Sequence, residues 1–278
     1  MRRAGWALTS AAVRGDPVRR FWFLLAGILV LAAGVRIAYV LGVADGFNRE
    51  RFYDAAYYEL EARTVAQGKG FADPFRLLPG ADHAIVPAAD HPPLTVLVLT
   101  PVVRWFPGQL PLRFTSALAG LGVVLLTALL ARAVAGDRAA LIAAFLAALY
   151  PYLWVNDGLI MSESFTGLFV VGALLAAYRA IRRPRSWWRW VLVGVLGGIA
   201  ALGRAELLLL VPLLMLGVLV GRRVDGWGVR CGATACAGLA MLAVLAPWFI
   251  YNAGRFDERV LISTNDGLAL VADRKSTV

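Results

Sequence analysis

The feature that most constrains this chain is a series of apolar runs long enough to cross a bilayer, among them "FWFLLAGILVLAAGVRIAYVLGVA" (21–44) and "CGATACAGLAMLAVLAPWFIY" (231–251). A hydrocarbon core of about 30 Å takes roughly 20 apolar residues per helix. A soluble core helix interrupts such runs with polar residues at helical period, and these runs mostly lack that interruption. Only helices and closed barrels satisfy their backbone in lipid, and the alternation of a barrel strand is absent. The sequence therefore predicts an all-α integral membrane protein.

Further apolar segments fall at 93–106, 111–133, 138–155, 159–181, 187–203 and 205–221. The stretch "PPLTVLVLTPVVRWF" (92–106) is short, carries Pro101 and ends in Arg104, Trp105 and Phe106, a composition suited to the membrane–water interface. Charge decides its placement. If it crossed the bilayer from a cytoplasmic N-terminus, "RRPRSWWR" (182–189) and "GRRVDGWGVR" (221–230) would both lie outside. If it lies in the interface, both fall inside with Arg132, Arg138 and the N-terminal arginines, as the positive-inside rule requires. The expectation is about seven transmembrane helices, with a cytoplasmic basic N-terminus (1–20) and a transmembrane module (21–251). A long first external loop at about 45–110 holds juxtamembrane helices, and an external stub (252–278) ends the chain. The net charge of +10 belongs to these loops, which excludes nucleic acid as a partner. Cys231 and Cys236 have neither His partners nor metal-site spacing and read as small core residues. Gly194 and Gly198 have the small-xxx-small spacing of close helix packing.

That topology gathers four polar stretches on one outer side. They are "RFYDAAYYELEARTVAQGKGF" (51–71), "DHPPL" (90–94), "NDGLIMSE" (156–163) and "GRAE" (203–206). As a helix, the first places Asp54, Tyr57, Tyr58 and Glu61 on one face and stops at Gly68 and Gly70. It reads either as an ordinary interfacial helix or as a surface where a carboxylate takes a proton from a hydroxyl while tyrosines pack on a sugar ring. Asp90 and His91 read either as an oriented imidazole, for metal binding or proton transfer, or as plain surface groups. Asp157 fits an N-cap as well as a catalytic acid. Glu163, an ionisable residue entering a spanning helix, points to function ahead of an interhelical hydrogen bond. Arg204 and Glu206 form either a local ion pair or a phosphate clamp built on the planar guanidinium. Arg36, inside the first span, must pair or snorkel. No Walker loop, strand-borne GxGxxG, nucleophile elbow or zinc-type Cys/His set is present, so soluble nucleotide chemistry is disfavoured and a substrate resident in the bilayer fits better.

The stretches "YDAAYYELEARTVAQGKGF", "DHPPL", "NDGLIMSES", "GRAELLLLVP" and "APWFIYNAGRF…ISTNDG", in this order, resemble polytopic membrane glycosyltransferases of the GT-C type over roughly residues 20–270. The branch includes protein O-mannosyltransferases and the lipid A aminoarabinose transferase. The resemblance implies a sugar transferred, with inversion, from a polyprenyl-phosphate donor to a hydroxyl or phosphate of a lipid, glycan or protein acceptor at the outer face of the plasma membrane. It implies Asp54 as general base, Glu163 as the second acid with Asp157 as its rival, and Tyr57, Tyr58, His91, Arg204 and Glu206 in substrate binding. No cofactor is required; a divalent cation bridging Asp54, Asp90 and His91 is compatible with the chemistry of hard cations. Tyr251 departs from the pattern, standing where relatives often carry Arg before Asn252. Such enzymes usually continue past the point where this sequence ends, so a C-terminally truncated member is expected. The rival classes are a transporter or flippase of a lipid-linked or anionic substrate, and a non-catalytic membrane subunit. Convergence of 51–61, 157–163 and 204–206 on one pocket distinguishes the enzyme.

Overall fold

The computed structural model describes residues 16–42, 53–221, 223–224, 226–258 and 260–264. Most of the basic N-terminus and of the 252–278 stub, with 43–52 of the external loop, therefore lie outside the described residues. Among the described residues four helices are long and apolar enough to cross a membrane: α1 (Pro17–Gly42), α4 (Leu110–Leu149), α6 (Ser162–Ile181) and α9 (Trp227–Ala253). Shorter apolar helices are α3 (Leu94–Trp105), α7 (Trp187–Ala201) and α8 (Leu210–Val220), the last entered through a 3-10 turn, Ala205–Leu209. Two helices stand outside these sets, α2 (Tyr53–Ala66) and α5 (Pro151–Gly158). The chain is an all-α membrane protein, and no strand occurs among the described residues.

The long α4 is two helices. Gly136 sits at φ 84° and ψ −174°, a conformation open to glycine and strained for any side chain, and it breaks the run into two arms. Arg132 and Asp137 close the bend with a 2.7 Å ion pair. The arms run antiparallel, because Asp157, well beyond the bend, lies against Gly120, well before it. The first arm matches the expected segment 111–133, whereas the expected 138–155 is divided, the second arm ending at Leu149 and α5 beginning at Pro151 after an extended Tyr150.

The helices pack in a row, α1 against α4, α4 against α6, α6 against α7, and α7 against α9, with α8 also on α9. Small residues set the closest approach. A Cβ on Gly194 would stand 2.1 Å from the Ala237 carbonyl oxygen, and one on Gly198 about 3.0 Å from Val244, so the two-glycine spacing serves the α7–α9 contact. Buried side chains form three apolar cores, one between α1 and α4, one among α7, α8 and α9, and one beneath α2 and α3.

That third core carries the site. α3 has 12 residues and spans about 18 Å at 1.5 Å per residue, too short for the hydrocarbon core. It lies against α2, its Arg104 donates to the Ala66 carbonyl at 3.2 Å, and its Leu94 N–H donates to Leu202 at the end of α7. Trp105 and Phe106 stay exposed.

Candidate active site

Where α2, the 88–92 loop, the start of α6 and the turn between α7 and α8 meet, they enclose an open cavity of about 690 Å³. Asp54 lies in the first turn of α2 and faces it, with its side chain 47% exposed. His91 follows, held between two rings, edge-on to Tyr57 at a centroid distance of 4.8 Å and tilted against Tyr58 at 5.0 Å. Its Nε2 stands 3.5 Å from Asp54 Oδ1. Burial holds the His91 imidazole below its usual range, against the opposing pull of Asp54 and Asp90, so the ring is neutral at pH 7.

The tyrosines divide. Tyr58 lines the cavity beside Ser162, and burial pushes its phenol up, leaving a neutral hydroxyl. Tyr57 is fully buried behind His91 and donates to Glu61 Oε1 at 3.0 Å. Glu61 is also fully buried, and burial pushes its carboxyl up to about 8. The single face expected of Asp54, Tyr57, Tyr58 and Glu61 is thus split. One pair meets the cavity, and the other packs into the core because α2 is covered by α3.

A second acid comes from α6. Glu163, in its first turn, accepts from Arg204 Nη1 at 2.9 Å, and Arg204 Nη2 reaches Glu206 Oε1 at 3.5 Å. The 203–206 turn can approach α6 so closely because residue 203 is glycine; a Cβ there would stand 2.4 Å from Thr166 Oγ1. Arg204 is 44% exposed and lines the cavity with both of its carboxylate partners.

Asp157 is not brought there. Its carboxylate accepts from Arg36 Nε at 2.7 Å and from Ser164 Oγ at 2.6 Å, and all of these groups are buried. It neither lines the cavity nor caps α6, whose N-cap residue is Met161. Its charge is consumed in joining α1 to α5, which also answers what Arg36 pairs with. Asp90 does line the cavity, beside His91. Among the described residues no three or more His, Cys, Asp or Glu side chains are grouped to hold a metal ion, so Asp54, Asp90 and His91 do not form such a set here. Two further wall residues escaped the sequence reading as site residues. Ser162 sits beside Glu163, and Ser263 belongs to the "ISTNDG" stretch, whose composition carries no chemical signal by itself.

The family model of dolichyl-phosphate-mannose-protein mannosyltransferases matches residues 90–251. The chain belongs to this family. It is a membrane glycosyltransferase of the GT-C type, as the order of its polar stretches implied. No curated protein and no solved structure matches the chain. The family match takes in His91, Glu163, Arg204 and Glu206, while Asp54 and Tyr58 precede it and Ser263 follows it. The cavity is therefore completed by residues on both sides of the matched region.

Proposed function

We propose that the cavity binds a polyprenyl-phosphate sugar and transfers the sugar to an acceptor hydroxyl or phosphate, with inversion, at the outer face of the membrane. One observation carries the reading. Asp54, His91, Glu163 and Arg204, from four separate stretches of sequence, line one cavity. A non-catalytic subunit has no need of that convergence.

Asp54 is the general base. With an acceptor hydroxyl within about 3 Å, its carboxylate takes the proton as the acceptor oxygen attacks the anomeric carbon. The carbon–oxygen bond to phosphate breaks, and the polyprenyl phosphate leaves with the bonding pair. Arg204 stabilises the charge that grows on the departing phosphate. Its guanidinium is already oriented by Glu163 and Glu206, so little reorganisation is needed. Neutral His91, its Nε2 3.5 Å from Asp54 Oδ1, sits beside the base and limits where its carboxylate can turn. Tyr58 packs on the sugar. No soluble cofactor enters this scheme.

The test is transfer from radiolabelled polyprenyl-phosphate sugars in membranes bearing the chain. Asp54→Asn at equal expression is expected to abolish transfer. Undiminished transfer by Asp54→Asn would remove Asp54 from the role of base.

A further inference from the structure

The cavity has a wall that the family match does not reach. The match ends at Tyr251, yet beyond α9 the chain folds back across the loop that carries Asp90. Several contacts fix it there. Trp248 Nε1 donates to the Ile262 carbonyl at 2.8 Å, and the Ile262 side chain is fully buried. The Thr264 N–H donates to the Ala89 carbonyl at 2.8 Å, and the Thr264 hydroxyl donates to Asp90 Oδ1 at 3.0 Å. Ser263, between these two anchored residues and only 8% exposed, lines the cavity together with Asp90.

The chemistry of this wall differs from that around Arg204. A carboxylate accepts hydrogen bonds from hydroxyls, and a serine hydroxyl both donates and accepts, so the pair matches a sugar ring. A phosphate placed here would meet Asp90 as a like charge in a partly desolvated cavity. The guanidinium that suits phosphate, Arg204, is held by Glu163 and Glu206. Backbone anchoring on both sides of Ser263 also means that little side-chain or loop ordering is left for the moment of binding.

We propose that Asp90 and Ser263 form the subsite for the hydroxyls of the transferred sugar, with Thr264 positioning Asp90. The inference rests on the donor reading above and adds which end of the donor lies at this wall. Ser263 and Asp90 touch the sugar; Thr264 acts through Asp90.

The experiment measures equilibrium binding of two probes, dolichyl-phosphate mannose and dolichyl phosphate, to the full chain in nanodiscs. Ser263→Ala and Thr264→Val are each expected to weaken binding of the mannosyl lipid about 3–10-fold, the scale of one lost hydrogen bond, and to leave dolichyl phosphate unchanged. Thr264→Ser, which keeps the hydroxyl, restores wild-type binding. Equal weakening of both lipids, or of neither, overturns the subsite while leaving the donor reading in place. A wild type that binds neither lipid overturns the donor reading and the subsite with it. Should Thr264→Val fail to fold, Ser263→Ala, which deletes a single oxygen, still decides the matter.

Discussion

Arg204 shows how much depends on one side chain. It carries two carboxylate partners and lines the cavity, so its planar fork is held ready for phosphate oxygens. Arg204→Gln is expected to lower kcat/KM for sugar transfer about 100-fold or more, in the range seen when one preorganised donor is removed from a reacting centre. Arg204→Lys keeps the charge and loses the fork, so its rate should fall between the two. Glu61 makes a different prediction. Its carboxyl is pushed up to about 8 by burial, so between the unfolded value of about 4.5 and about 8 the folded chain holds a proton that the unfolded chain has released. Stability must therefore fall as pH rises through that window. Glu61→Gln retains an oxygen for Tyr57 and cannot ionise. Its melting temperature, measured by thermal unfolding in detergent, should gain on the wild type steadily from pH 5 to pH 8.

Among the elements, the joints between helices are unequal, and their chemistry says which will fail. The buried Arg36–Asp157 pair ties α1 to α5, and Ser164 extends the joint to the start of α6. Arg36→Met alone leaves a buried carboxylate without its cation and should cost about 3–5 kcal/mol, whereas Arg36→Met with Asp157→Leu should recover most of it. Urea unfolding of both variants measures the difference. The α7–α9 joint depends on glycine for a steric reason. Gly194→Val drives a side chain into the Ala237 carbonyl and is expected to cost about 1–3 kcal/mol in the same assay. Gly217 on α8 has nothing within 4 Å of a built Cβ, so Gly217→Ala should be neutral or stabilising by up to about 1 kcal/mol.

For the molecule as a whole, the polar cavity and the arginine-rich turns lie at opposite ends of α6. Glu163 stands at one end, and Arg182 and Arg183 follow the other. The positive-inside rule then predicts that the cavity faces outward. In a background with Cys231 and Cys236 replaced by serine, Glu206→Cys should react with a membrane-impermeant maleimide applied to intact cells. Arg183→Cys should react only after permeabilisation. The reverse pattern would turn the whole orientation over. A transporter would place its charges near mid-membrane in an accessible path. One charged pair inside this bundle, Arg36 and Asp157, is instead closed upon itself.

The sequence by itself determined the class, the apolar runs and the order of the polar stretches, because run length, glycine and arginine placement are local properties that lipid reads directly. The break at Gly136 falls between two apolar runs already separable by their length. It also pointed to Asp54, His91, Glu163 and Arg204 through the order of their motifs. What it left open was the choice between Glu163 and Asp157, a turn or two apart, and it took Tyr57 and Tyr58 together where packing separates them. Those depend on which neighbour supplies a counter-charge or covers a face, and the neighbours are more than 100 positions away for Asp157 and Arg36. Only tertiary packing could give Arg36 to Asp157 and Arg204 to Glu163, turn Tyr57 inward beneath α3, and lay Ser263 against the cavity. Long-range partners decide where a charge is spent, and local sequence carries no record of them.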